Sequence, residues 1–122
     1  MTPLELTKEI AAILENKKAR DITAIRIGEV STLADYFLLA SGSSTTQVRA
    51  LSDEIELRMK EKFALLPGRV EGYNSSSWIL VDYGDVVVHI FLEETREFYS
   101  LERLWTDGEV LTLDEIMAKQ GL

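Results

Sequence analysis

WILVDYGDVVVHIFLEETREFYSLERLW, residues 78–105, is the stretch that decides the fold. It reads as strand, tight turn, strand and helix. It holds both tryptophans, the only histidine (His89) and two of the four tyrosines. The run Val86-Val87-Val88-His89-Ile90-Phe91 is apolar on both alternating faces, as in the middle of a sheet covered on both sides. Trp78–Asp82 and Val86–Leu92 are expected to pair as a hairpin through Tyr83-Gly84-Asp85. Glu94–Trp105 is expected to be a helix with Phe98, Leu101 and Trp105 aligned as its packing stripe, stopped by Thr106-Asp107-Gly108.

Upstream, Thr2 caps a first helix, with Pro3 in its first turn and Glu5 closing a capping box. Leu6, Ile10, Ile13 and Leu14 follow helical spacing. Ile22–Ile27 and Tyr36–Ser41 read as strands, the second ending at Gly42. Ser44 opens a long helix whose apolar stripe is Val48, Leu51, Ile55, Met59 and Phe63. Pro67-Gly68 closes that unit, and Arg69–Glu71 forms a short strand. Downstream, Thr112-x-x-Glu115 caps one short helix. The order α-β-β-α-β-β-β-α predicts a single α/β domain: a mixed five-stranded sheet flanked by helices. The domain is expected over residues 1–105, with 106–122 a C-terminal extension carrying a short helix.

Composition narrows the function. A chain of 122 residues with 46% apolar residues buries enough core to fold without staples. It contains no cysteine, which excludes disulfides, zinc–thiolate sites and thiol catalysis and fits a reducing compartment. No apolar run suggests a membrane span, and Met-Thr-Pro-Leu-Glu-Leu opens directly into a helix, so no leader is expected. The net charge of −8 is uneven. Residues 1–68 hold ten acids and nine bases; residues 69–122 hold eleven acids and four bases. A surface that grips nucleic acid needs clustered Lys and Arg. The acidic half instead suits a basic protein partner, and it also serves plain solubility.

Residue chemistry offers two catalytic readings. Ser41-Gly42-Ser43-Ser44 lies between a strand and a helix, where nucleotidyltransferases place a Gly-Ser pair ahead of two strand carboxylates that hold magnesium. Carboxylates on one face of a strand are spaced by two. Asp82 and Asp85 are three apart and split by a turn, which supports a metal pair poorly. Asp35, ahead of its strand, reads as a loop anchor rather than a lone ligand. His89 alternates with Val87 and Phe91 on an apolar face, where a lone histidine is more readily buried than catalytic. No Walker loop or Gly-x-Ser-x-Gly elbow is present.

The remaining feature is a set of aromatic and acidic residues. Trp78, Tyr83, Phe98, Tyr99 and Trp105 stand beside Asp82, Asp85, Glu93, Glu94, Glu97 and Glu102. Trp and Tyr are among the residue types that dominate interface energy. Trp78 at a strand start and Tyr83 in a turn read equally well as partner contacts and as core.

The same residues resemble the ribosomal silencing factor family, also called Iojap-like. The motifs are Ala34-Asp35-Tyr36-Phe37, Ser41-Gly42-Ser43-Ser44-Thr45 with Gln47-Val48, Val70-Glu71-Gly72, the run Trp78–Phe91, and Arg96–Trp105. They span roughly residues 5–105 in the family's order. The resemblance implies a nucleotidyltransferase-like scaffold without its catalytic carboxylates, and no enzyme activity or cofactor. It implies a bacterial, cytoplasmic translation repressor, often a homodimer when free, with no membrane contact and no specific nucleic-acid readout. Such a protein binds the large ribosomal subunit through its fourteenth ribosomal protein, on the face that meets the small subunit. It blocks subunit joining when nutrients are scarce. Mapped onto this chain, the partner surface is expected to include Trp78, Asp82, Tyr83, Asp85, Glu93 and Arg96. The rival expectation is a nucleotidyltransferase-like enzyme using Gly42-Ser43 and Asp82 or Asp85 with magnesium.

Overall fold

The computed structural model describes residues 1–29, 31–100, 103 and 108–120. Two adjacent parallel strands form the centre of its sheet. These are β2 (Tyr36–Gly42) and β5 (Val86–Leu92), in register from Tyr36 opposite Val86 to Gly42 opposite Leu92. Every residue of β2 is buried, and β5 is buried from Val86 to Phe91. That is the physical meaning of their uninterrupted apolar runs. Outside β5 lie β4 (Trp78–Asp82) and β3 (Arg69–Glu71), both antiparallel. Outside β2 lies β1 (Arg20–Arg26), also antiparallel.

The described residues contain six strands where five were expected. Glu109–Thr112 forms β6 and pairs antiparallel with β1, so the sheet order is β3-β4-β5-β2-β1-β6. Four residues that alternate only weakly are too short to announce a strand by pattern. What specifies β6 is the open edge of β1, whose backbone groups need partners.

One sheet face is covered by α1 (Pro3–Asn16), α2 (Thr45–Phe63) and α4 (Leu113–Ala118). Leu6, Ile10 and Leu14 of α1 and Val48, Leu51, Ile55 and Met59 of α2 are buried in one cluster with Leu38, Ile79, Val88 and Ile90. Ile116 of α4 joins that cluster, so the last helix shares the core of residues 1–105. The helix starts follow the expected chemistry. Thr2 and Glu5 form a reciprocal capping box, as do Thr112 and Glu115, and Ser44 caps α2 by accepting from the Gln47 N–H.

The other face is smaller and carries Ile25, Ile27, Phe37, Leu39, Val87 and Phe91. Against it packs α3 (Glu93–Tyr99). This helix corrects the expectation of a longer one. Ser100 adopts φ +47° and closes the helix with its N–H on the Arg96 carbonyl. Phe98 therefore does not join a packing stripe; it is 82% exposed. Leu101, Glu102 and Trp105, expected in the same helix or acidic set, lie outside the described residues, as do Thr106 and Asp107.

Candidate functional site

Strand alternation sorts the candidate residues before any contact is considered. Trp78, Leu80 and Asp82 share the small face with Val87, His89 and Phe91, whereas Ile79 and Val81 point to the helices. Tyr83 follows Asp82 in the turn and swings to the helix side, where its ring packs against the main core. The two aromatic residues singled out in the hairpin therefore lie on opposite sides of the sheet. They do not form one patch.

Trp78 is half-buried. Its ring centroid is 4.9 Å from that of Phe91 and 4.9 Å from that of Tyr99. Its indole Nε1 donates to Nδ1 of His89 at 3.1 Å. His89 stands edge-on to Phe37 with centroids 4.8 Å apart. Burial drives its pKa down to about 4, with the Asp82 charge opposing only part of that shift. The ring is thus neutral near pH 7, with Nδ1 accepting and the proton on Nε2. That Nε2 is buried without a partner. A base needs access to substrate, so this histidine is a core group, as its strand position indicated.

Tyr99 continues the file outwards. It is 50% exposed and meets Phe98 edge-on with centroids 5.2 Å apart. Phe98, Tyr99, Trp78 and Phe91 thus run from solvent to core as one series of ring contacts. Glu94 and Glu97 on the same helix are exposed, and Glu93 pairs with Arg20 at 2.9 Å. Sequence reading named both Tyr99 and Phe98 but assigned Phe98 to the core. The missed signal was the helix end at Ser100, which no glycine or proline marks.

The other candidates have local duties. Asp82 accepts from Arg69 Nε at 3.1 Å and from the Gly84 N–H at 2.8 Å, holding the turn. Asp85 is exposed, and its carbonyl accepts from the N–H groups of Asp35 and Tyr36, tying the hairpin tip to β2. The backbone of Asp35 ties down its loop, its carbonyl accepting from the N–H groups of Ile27 and Gly28. No group of three or more His, Cys, Asp or Glu among the described residues could hold a metal ion.

Arg96 is the largest departure. Expected on a partner surface, it is buried at 9% exposure. Its guanidinium donates to the Asp21 carbonyl, to Ser41 Oγ at 3.0 Å and to Thr23 Oγ1 at 3.2 Å. A register shift in β1 between Arg20 and Thr23, with Asp21 at φ +50°, brings that carbonyl to the guanidinium. Arg96 thereby fastens α3 to β1 and β2.

No helix among the described residues is long and apolar enough to cross a membrane. Compared with known proteins, the sequence profile described as "Ribosomal silencing factor during starvation" matches residues 1–121. The chain is 40% identical over 114 residues to the ribosomal silencing factor RsfS of Bacillus subtilis, covering 93% of this chain and 96% of that one. It is 36% identical over 99 residues to the mouse protein named "Mitochondrial assembly of ribosomal large subunit protein 1", covering 80% of this chain and 43% of that one. A crystal structure of a protein from Chromobacterium violaceum matches it with a TM-score of 0.83 at 35% identity, over 87% of this chain and 88% of that one.

Proposed function

We propose, for a chain that belongs to the ribosomal silencing factor family, that it represses translation by occupying the large ribosomal subunit where the small subunit must dock. Its partner there is the fourteenth large-subunit ribosomal protein. Occupancy alone suffices for such a block, so affinity sets its potency and no chemical step is required. The name of the mouse relative supports the choice of the large subunit.

The observation that carries the reading is the ring file on α3 and β4. An 82% exposed phenylalanine beside a half-exposed tyrosine, both backed by the half-buried Trp78, is apolar surface turned to solvent among the described residues. Rings anchored in a core and ringed by carboxylates resemble the centre and rim of a protein interface. Glu94 and Glu97 then face the basic partner, and an interface of about 800 Å² on this side fits a domain of this size. Trp78 contributes through the file, whereas Tyr83 and Arg96 act from within the fold.

The test is a sedimentation profile of ribosomal particles with and without added protein. Free subunits should rise and joined ribosomes fall. A profile that does not change with added protein would overturn the proposal.

A further inference from the structure

The two central parallel strands end side by side at Gly42 and Leu92. In open α/β sheets, ligands lodge beyond the carboxyl ends of such strands. A cleft of about 680 Å³ lies there, lined among others by Arg20, Asp21, Ser41, Arg96, Ser100 and Arg103. Arg96 and Ser100 also hold and close α3, the helix that carries Phe98 and Tyr99 of the ring file.

Three features mark the cleft as built. Ser41 is 1% exposed, and its hydroxyl oxygen already accepts from Arg96, so its own hydrogen is available to donate. Arg96 is held by oxygens on β1 and β2, which fixes a cation at the cleft wall. Asp21 and Ser100 are both in the left-handed region, at φ +50° and +47°, and both line the cleft. Non-glycine residues in that region concentrate at binding sites.

Charge selects the ligand. The chain carries −8, yet three arginines converge here. Two of them, Arg96 and Arg103, are half of the four bases in residues 69–122. Among the described lining residues, Asp21, Glu93 and Glu97 stand against the three arginines, a far more even balance than that of the chain as a whole. Glu93 is already engaged by Arg20, at an exposed ion pair that holds weakly. Guanidinium groups and a hydroxyl around one cleft match a phosphoryl group, whose several oxygens accept from several donors at once.

We infer that this cleft binds a small phosphate-bearing molecule, with the exposed Arg20 and Arg103 as its grips and Arg96 with Ser41 as its fixed wall. The site is independent of the ribosome-binding proposal, because it is complete in the isolated chain.

The test is calorimetric titration of the intact protein with pyrophosphate and, separately, with a nucleoside diphosphate, both without magnesium. Saturable binding is expected with pyrophosphate. The double variant R20A/R103A should bind at least about tenfold more weakly, while K62A, at a distant charged site, binds unchanged. Equal affinity for both probes means that the diphosphate alone is recognised; tighter nucleotide binding means that the cleft also reads the nucleoside. Both outcomes support the site. The substituted arginines are solvent-exposed, so a folded double variant is expected, and circular dichroism verifies it. Absence of heat at millimolar pyrophosphate, or equal binding by R20A/R103A, overturns the inference.

Discussion

The indole N–H of Trp78 and Nδ1 of His89 meet diagonally across the β4–β5 ladder at 3.1 Å, and this bond assigns the proton of the only histidine to Nε2. Protonating Nδ1 would remove the acceptor of Trp78 and place a charge in an apolar layer.

The pH dependence follows from that burial. His89 has a folded pKa of about 4 against an ordinary 6.5. Between those values the unfolded chain binds the proton that the folded chain refuses, so stability rises with pH. The contribution is fully present above pH 6.5 and is lost as pH falls towards 4, by an amount on the order of 3 kcal/mol. Denaturant unfolding at a series of pH values should show this slope, and His89→Gln should flatten it. NMR titration gives a direct check, since one imidazole signal exists and should shift only near pH 4.

Removing the outer ring separates binding from folding. Phe98→Ala should change stability by less than about 0.5 kcal/mol, because the ring is mostly in solvent. The same change should weaken co-sedimentation with large subunits by about tenfold, the loss expected of an interface ring. Unaltered co-sedimentation would move the interface elsewhere on the molecule.

Arg96→Ala should be costly. It leaves the Asp21 carbonyl without a donor it now has, together with the hydroxyls of Ser41 and Thr23, and it frees α3 from the sheet. A loss of roughly 2–4 kcal/mol is expected in denaturant unfolding. Arg96→Lys should recover only part of this, since one ammonium cannot reproduce a planar fork.

Tyr83→Phe is expected to stabilise. The Tyr83 hydroxyl is buried without a partner, and burial first, with the Glu56 charge second, pushes its pKa well above the usual tyrosine value. Deleting an unsatisfied hydroxyl while keeping the ring removes a desolvation penalty of about 1 kcal/mol. A higher midpoint in urea, with unchanged slope, is the expected result.

Gly72→Ala tests how β3 and β4 approach each other. Gly72 has φ +80°, and a Cβ there would run into the Trp78 carbonyl oxygen. Relief requires moving the first residue of β4, so a loss of at least about 2 kcal/mol is expected by thermal unfolding.

Local chemistry made much of this fold legible. The capping pairs Thr2/Glu5 and Thr112/Glu115 start helices at the expected positions, because a cap is decided by residues three apart. The Trp78–Asp82 and Val86–Leu92 strands follow from alternation and a three-residue turn. That turn already fixes Leu80 opposite His89 and Trp78 opposite Phe91, so the indole–imidazole contact was available by counting. The end of α3 was not, since Ser100 carries no conformational preference strong enough to announce φ +47°.

From its residues alone, this chain is determined as an α/β domain built on a doubly covered strand, within a family whose motifs keep their order. Those are properties of neighbours along the chain, where periodicity and capping act. Only the tertiary structure decides that Trp78 and Tyr83 face away from each other, that Arg96 is a buried clamp and that Phe98 is left in water. Each of those depends on groups many residues distant meeting across a sheet, and burial, unlike propensity, exists only once they have met.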